Sequence, residues 1–230
     1  MSCRCVFAID TTSTHASIAL RHGDTVLETS LAQAGSHASV LMQAIDSILD
    51  QARVSPSQLD GIVYGQGPGS FPGVRIGIAV AQGLAHAHAV PMMGVCSLEN
   101  IAWQASSDIT ALGSAHVAID ARMGELYVRE FQRHADQLVP LGDSQLVAIE
   151  QFPDASVRHI LGNAPALYRD LAARAASAGI GVSHSQLLPS ARTAMMIAMQ
   201  SDHAWHSPAQ AQAVYVRQHV ADKLGEGKRR

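Results

Sequence analysis

Lysine is almost absent from this chain of 230 residues, whose two lysines are Lys223 and Lys228. A P-loop needs a lysine that reaches the phosphates of a nucleotide, and Schiff-base catalysis needs a lysine amine. Both chemistries are therefore excluded from the part of the chain that precedes Lys223.

Long apolar runs and a cysteine framework are also missing. No apolar stretch approaches the roughly 18 residues that cross a bilayer, and residues 1–5 lack the pattern of a signal peptide. Three cysteines, an odd number, provide no disulfide framework and suit a reducing compartment. We therefore expect a cytoplasmic protein without a membrane segment.

Charge is scarce as well. Charged residues make up 15% of the chain and hydrophobic residues 47%, which excludes disorder, and the mean hydropathy of +0.09 suggests more apolar surface than a lone monomer would expose. The net charge of −3 provides no basic face for nucleic acid. We expect a protein partner, and RNA contact only through that partner.

The order of the elements predicts an α/β fold with an internal duplication. Residues 7–10 read as a buried strand that ends in Asp10, and residues 117–120 repeat the pattern and end in Asp120. Each is followed by a turn and a second strand. After residue 140 the pattern is weaker, with helices predicted at residues 164–178 and 191–201, and residues 213–220 are predicted to pack back on the body.

Two polar turns are candidate phosphate sites. Asp10 is followed by Thr11 and Thr12, whose hydroxyls and amides could grip a phosphate while the carboxylate holds a metal. Asp120 is followed by an arginine and no hydroxyl. The alternative is that both turns merely cap hairpins.

A glycine-rich loop at residues 65–73 is a third candidate. Glycines let backbone amides approach an anion, and a helix N-terminus follows, so Gly67, Gly69 and Ser70 are candidate phosphate-binding residues. The spacing matches neither the dinucleotide fingerprint nor the P-loop. Close packing of strand against helix explains the loop equally well.

Two predicted helices carry apolar stripes. Residues 36–52 have one wide apolar face, and residues 74–88 follow the loop and are apolar on several faces, with small residues four apart at Gly73, Gly77, Ala81 and Ala85. Such a helix is buried either in its own core or in an interface, and the pattern does not decide between them.

Other catalytic chemistries find no support in the residues. His86 and His88 point in different directions on a helix, and His203 and His206 lack further ligands. No Gly-x-Ser-x-Gly elbow is present in the sequence. We predict no metal site and no hydrolase nucleophile.

Several of these segments together resemble the TsaB (YeaZ) family. They are residues 9–12, His37, the loop and helix start at residues 65–77, the second-half motif at residues 119–127, and residues 213–223. Pro72 departs from the family, which usually has threonine there. The match spans most of the chain.

The resemblance implies an actin-like, hexokinase-like ATPase fold of two related, ribonuclease H-like lobes. The N-terminal lobe, with partner-binding helices, would span residues 1–106, and the C-terminal lobe residues 107–230, with the C-terminal segment packing back on the N-terminal lobe. It also implies a role in making threonylcarbamoyladenosine next to the tRNA anticodon.

The resemblance further implies an inactive subunit with partners. The catalytic relative TsaD carries a metal-binding His-x-x-x-His, and alignment on Glu99 puts Ser97 and Ile101 at those positions. We therefore expect no turnover alone, no cofactor beyond weak nucleotide binding, a heterodimer with a TsaD homologue, a TsaE homologue as ATPase, and a homodimer when alone. The implied partner interface comprises His37, Leu41, Ile45, Ile48, Gly73, Arg75, Gly77, Val80, Ala81 and Leu84.

Two other function classes stay open. An active ATPase or sugar-kinase-like enzyme is motivated by Asp10, the threonine-rich turn and the glycine loop, and binding of ATP with magnesium to the isolated protein would favour it. A glycopeptidase activity lacks any visible metal or nucleophile.

Overall fold

The structure, a computed structural model, describes residues 5–32, 38–105, 113–135, 137–200 and 205–216. The first half builds one five-stranded sheet with the order β3-β2-β1-β4-β5. Its strands are β1 (Cys5–Asp10), β2 (His15–His22), β3 (Thr25–Ala32), β4 (Gly61–Gly67) and β5 (Met92–Cys96).

The second half builds another five-stranded sheet, with the order β10-β9-β6-β7-β8. Its strands are β6 (Ser114–Asp120), β7 (Glu125–His134), β8 (Gln137–Ala148), β9 (His159–Leu161) and β10 (Gly181–Ser183).

The two sheets have the same topology. In each, the first strand pairs antiparallel with the second and parallel with the fourth, and the fourth pairs parallel with the fifth. Asp10 and Asp120 therefore end equivalent central strands. The predicted duplication and the α/β fold class are confirmed.

In the described ranges, six α-helices connect and cover the sheets. They are α1 (Ala38–Ala52), α2 (Phe71–His88), α3 (Ser97–Ala105), α4 (Ala164–Leu167), α5 (Arg169–Ser177) and α6 (Ala191–Gln200). The helix predicted at residues 164–178 is interrupted at Tyr168, whose backbone is extended. Between β8 and β9 only a short 3-10 helix, Ile149–Gln151, stands where the first lobe has α1.

Alternation along β1 places helices on both faces of the first sheet. Phe7 and Ile9 pack against α1 and α2, whereas Val6 and Ala8 pack against α6. α3, which follows the first sheet in the chain, packs on the second sheet instead. The lobes therefore exchange a helix, and residues 97–105 contribute to the core of the second lobe.

Residues 205–216, which we call the C-terminal strap, lie against the first lobe. His206 exchanges two backbone hydrogen bonds with Met92 on the edge strand β5, at 2.8 and 2.9 Å, and the Val214 amide donates to the Gln66 carbonyl at 2.7 Å. In the described part of the chain, no helix has the length and apolar character to span a membrane.

Candidate functional site

The turn after β1 is organised by the Asp10 carboxylate. Its Oδ1 accepts hydrogen bonds from the Thr12 amide at 2.9 Å and from the Thr12 hydroxyl at 2.7 Å. This is the short-range side-chain to backbone pattern that makes aspartate a turn former. Asp10 therefore stabilises the turn that follows it.

The second carboxylate oxygen of Asp10 is buried without a partner. Asp10 is 1% exposed, and Oδ2 has no hydrogen bond to the described residues. Burial raises the pKa of Asp10 to about 6, against the opposing effect of the two Thr12 hydrogen bonds. The ionised form of Asp10 therefore lowers the stability of the folded state.

The hydroxyls of the turn form hydrogen bonds within the protein. The Thr11 hydroxyl donates to the Gly73 carbonyl at 2.7 Å, and the Ser97 hydroxyl donates to Thr12 Oγ1 at 2.9 Å. Both threonines are 2% exposed. Asp10, Thr11 and Thr12 are therefore buried and hydrogen-bonded to one another and to the elements that cover them, and phosphate binding by these residues stays a prediction.

The glycine loop covers this turn. A Cβ atom at Gly65, Gly69, Gly73 or Gly77 would collide with the carboxylate or backbone of Asp10, Thr11 or Thr12 or with the Thr11 hydroxyl. These glycines let β4, the loop and α2 approach the turn closely.

The remaining loop residues also serve packing. The Ser70 amide donates to the Thr12 carbonyl at 2.7 Å, and its hydroxyl accepts from the Gly73 amide at 3.4 Å as the N-cap of α2. Gly67 has φ +90°, and a Cβ there would lie 3.4 Å from the Val214 carbonyl oxygen. Of the two alternatives for the loop, close packing therefore explains Gly67, Gly69 and Ser70.

Asp120, the counterpart of Asp10, is held differently. Its Oδ1 accepts from the Arg122 amide at 2.7 Å and from the Tyr168 hydroxyl at 2.6 Å, and Arg122 Nε lies 3.4 Å from Oδ2. The Asp120 amide donates to Asn163 Oδ1 at 3.2 Å. Burial and the Asp120 carboxylate raise the pKa of Tyr168 to about 12. Asp120 is therefore partnered by the protein itself.

Sequence reasoning missed Asn163 and Tyr168. They follow β9 by a few residues, as the glycine loop follows β4, and parallel pairing of β9 with β6 brings them to Asp120. Once the duplication is recognised, the residues after the fourth strand of the second lobe are the ones to inspect. No local motif marks them.

The positions implied for metal ligands do not suit a metal. Ser97 and Ile101 are completely buried, and neither side chain is an imidazole or carboxylate. Within the described ranges, no group of three or more histidine, cysteine, aspartate or glutamate side chains could hold a metal ion. His203 lies outside the described residues.

Most residues of the implied partner interface are buried in the chain's own core. This corrects the implied interface, because both helical stripes pack on the first sheet. The buried residues are Leu41, Ile45, Ile48, Gly73, Gly77 and Ala81. His37 lies outside the described residues. Arg75 is exposed, and Val80 and Leu84 are half-buried.

A second stripe of small residues on α2 faces outward. Ala79, Gly83 and Ala87 are exposed and four residues apart, and a Cβ at Gly83 would meet no atom within 4 Å. The half-buried apolar side chains beside them are Ile76, Val80 and Leu84. This outer face of α2 carries the apolar surface that a partner helix could cover.

An aromatic cluster surrounds Arg75 at the start of α2. The Arg75 Cζ atom lies 3.8 Å from the ring centroid of Phe71, and its Nε donates to the Tyr215 hydroxyl at 3.2 Å. Phe71 is 50% exposed and Tyr215, from the C-terminal strap, is 54% exposed. The cluster adjoins the outer face of α2.

Comparisons with known proteins agree on one family. The profile of TsaD, tRNA N6-adenosine threonylcarbamoyltransferase, matches residues 31–158. The tRNA threonylcarbamoyladenosine biosynthesis protein TsaB of Escherichia coli K12 is 39% identical over 131 residues, which cover 56% of this chain and 55% of that protein. The protein of the same name from Bacillus subtilis 168 is 34% identical over 139 residues, 59% of each chain. The chain thus spans just over half the length of these curated relatives.

Solved structures extend the likeness to nearly the whole chain. YeaZ from Pseudomonas aeruginosa superposes with a TM-score of 0.73 at 28% identity, covering 92% of this chain and 99% of that one. The resemblance to the TsaB (YeaZ) family and the expected actin-like fold are confirmed.

Proposed function

Because this chain belongs to the TsaD family, and its relatives within that family are TsaB (YeaZ) proteins, we propose that it acts in tRNA threonylcarbamoyladenosine biosynthesis as a non-catalytic subunit. It supports a catalytic TsaD homologue by binding to it. The isolated chain carries out no turnover.

The closed turn at Asp10 carries this proposal. The Asp10 turn was the candidate site for phosphate and metal, yet it is covered by α2 and by Ser97. The resemblance puts Ser97 and Ile101 at the positions of the TsaD metal ligands, and neither side chain supplies an imidazole or a carboxylate for a metal. The residues present do not fit the catalytic metal centre of the relative.

The outer face of α2 supports a partner of the same family. Small residues at Ala79, Gly83 and Ala87 let another helix approach closely, and the flanking apolar side chains give it area to bury. The same face suits a homodimer when the TsaD homologue is absent.

The remaining parts of the proposal rest on the net charge and on the resemblance to the TsaB (YeaZ) family. With a net charge of −3, this subunit contacts tRNA only through the complex, and a TsaE homologue supplies ATP hydrolysis. We expect no cofactor and no measurable binding of ATP with magnesium to the isolated chain, which separates this function from an active ATPase or sugar kinase. The complex would work in the cytoplasm.

Reconstitution of threonylcarbamoyl transfer to tRNA tests the proposal. The purified TsaD and TsaE homologues from the same source are assayed with this chain present, omitted or supplied alone. We expect activity only when this chain and the TsaD homologue are both present. Full activity without this chain, or turnover by this chain alone, would show that the proposed role is wrong.

A further inference from the structure

The C-terminal strap and the start of α2 form one surface. Tyr215 lies at the end of the described strap, and its ring centroid is 6.1 Å from that of Phe71 in the first turn of α2, with the rings inclined by 50°. Val214 is anchored to β4 by its hydrogen bond to Gln66. The two exposed rings are therefore held in place by backbone contacts on both sides.

Arg75 is fixed between these rings. Its guanidinium stacks on Phe71 at 3.8 Å, lies 5.9 Å from the Tyr215 ring centroid, and uses Nε to hydrogen-bond the Tyr215 hydroxyl. Within the described part of the chain, Arg75 has no carboxylate partner. Because the side chain is already ordered, a ligand that binds its terminal amino groups has little conformational entropy left to remove.

The chemistry of this cluster indicates an anionic ligand group. The terminal nitrogens of an arginine whose Nε is engaged still form a planar donor pair, which matches a carboxylate. Exposed aromatic residues and arginine are the types that dominate the energetics of protein interfaces. The surface therefore combines a charged anchor with apolar area.

A protein carboxylate fits better than an RNA backbone. Arg75 is the sole arginine or lysine of α1 and α2, and α1 adds the carboxylates of Asp46 and Asp50. Binding to nucleic acid relies on several cations that neutralise successive phosphates. One preorganised arginine beside an apolar helix face suits one carboxylate beside an apolar surface.

We propose that Phe71, Arg75 and Tyr215 form a socket for an aspartate or glutamate side chain of the partner that covers the outer face of α2. This inference rests on the proposed function for the identity of that partner, the TsaD homologue. It makes the C-terminal strap part of the binding surface, since Tyr215 positions the guanidinium.

Affinity measurements with the purified TsaD homologue test the socket. Arg75→Gln should weaken binding about tenfold or more, and Arg75→Lys should fail to restore it because an ammonium neither stacks nor binds bidentately. Tyr215→Phe removes only the hydroxyl that orients Arg75, and a loss of about threefold is expected. Arg192→Gln, which removes an exposed arginine from α6, is the matched control and should bind as the wild type does.

Salt dependence and charge reversal identify the ligand group. The affinity of the wild type should fall as salt rises from about 50 to about 500 mM, and that slope should be shallower for Arg75→Gln. Arg75→Glu should be rescued by one Asp→Arg or Glu→Arg variant of the partner. If no such variant rescues binding, the carboxylate socket is wrong.

The outcomes separate this inference from the proposed function. If the wild-type chain does not bind the TsaD homologue, the proposed function fails. If the wild type binds and Arg75→Gln binds equally well, only the socket fails. A change confined to self-association, or to tRNA binding by the assembled complex, would assign the socket to a second copy or to RNA and would overturn the proposal.

Discussion

The two lobes share a strand order but treat their central aspartates in opposite ways. Asp10 is buried, and one of its carboxylate oxygens lacks a partner among the described residues. The Asp120 side chain is 10% exposed and is bonded to the Arg122 amide and the Tyr168 hydroxyl. The first carboxylate is covered by glycines and a helix, whereas the second is occupied by polar side chains.

This difference shows that the same topology can surround its central aspartate in two ways. In the first lobe, the covering elements approach so closely that a Cβ atom at Gly69, Gly73 or Gly77 would collide with Thr11 or Thr12. In the second lobe, side chains of the protein take the hydrogen bonds that a ligand would need. The Asp10 turn is therefore covered, and the Asp120 carboxylate is bonded to Arg122 and Tyr168.

The largest expected effect distinguishes the two turns by steric fit. Gly69→Ala should lower the free energy of unfolding by about 2–4 kcal/mol, because its Cβ would collide with the Thr12 carbonyl. Gly124→Asn, in the turn after Asp120, should cost less than about 1 kcal/mol, because space is open there and asparagine tolerates its positive φ. Urea unfolding of both variants measures the difference, and equal losses would contradict the close packing at Asp10.

The next largest expected effect is on affinity for the partner, compared between a helix of each lobe. Gly83→Arg on α2 should reduce affinity for the TsaD homologue about 30-fold or more while raising stability by about 1 kcal/mol, because glycine is a poor helix former. Ala173→Arg on α5, the counterpart helix of the second lobe, is the matched control and should leave affinity unchanged. Binding and thermal unfolding are measured on the same samples, and retention of affinity by Gly83→Arg would move the interface away from α2.

A smaller expected effect is the pH dependence of stability, which differs between the two aspartates. The pKa of Asp10 is raised by burial from 3.8 to about 6, so the folded state binds a proton more tightly than the unfolded state. The resulting stability is present at low pH and is lost as pH rises through about 6. Between about pH 7.5 and about pH 5 it amounts to about 1.4 kcal/mol.

Asp10→Asn should remove this pH dependence and raise stability near neutral pH. Asp120→Asn should instead lower stability by about 1 kcal/mol, because it weakens charge-assisted hydrogen bonds. Unfolding curves of wild type and variants over this pH range provide the test. A wild-type minus Asp10→Asn difference that does not vary with pH would be inconsistent with a buried carboxylate of raised pKa.

The smallest prediction concerns His116 in the second lobe, for which only the direction is expected. Burial lowers the pKa of His116, so its neutral form stabilises the fold above the unfolded pKa and this stability is lost as pH falls. The sign is opposite to that of Asp10. This loss is absent in His116→Leu, so the free energy of unfolding of the variant should respond to acidification more favourably than that of the wild type. Unfolding curves over the same pH range measure both responses, and identical pH dependence would rule out a contribution from His116.

The sequence was sufficient for much of the fold because hydrophobic patterning reports local structure directly. The strands that end in Asp10 and Asp120 were predicted from buried runs followed by polar turns, and their repetition indicated two related lobes. The helix predicted at residues 74–88 corresponds to α2, which begins earlier, at Phe71, because Ser70 caps it and Pro72 fits its first turn.

The site was less predictable because it depends on contacts between distant residues. The small-residue stripe at Gly73 and Gly77 gave no sign of which side faces the core, and only packing against Thr11 decides it. Tyr168 reaches Asp120 from 48 positions away, and Tyr215 reaches Arg75 from 140 positions away. Such pairs are set by the pairing of strands and the path of the C-terminal strap.

The most direct test of the account is reconstituted threonylcarbamoylation of tRNA with the Asp10→Asn chain in place of the wild type. If the sealed turn has no catalytic task, the rate should stay within about twofold of the wild-type rate, because the variant keeps the turn and the α2 surface. A loss of about 100-fold or more, with the variant folded and still bound to the TsaD homologue, would mean that Asp10 takes part in the reaction and that the subunit is not a scaffold.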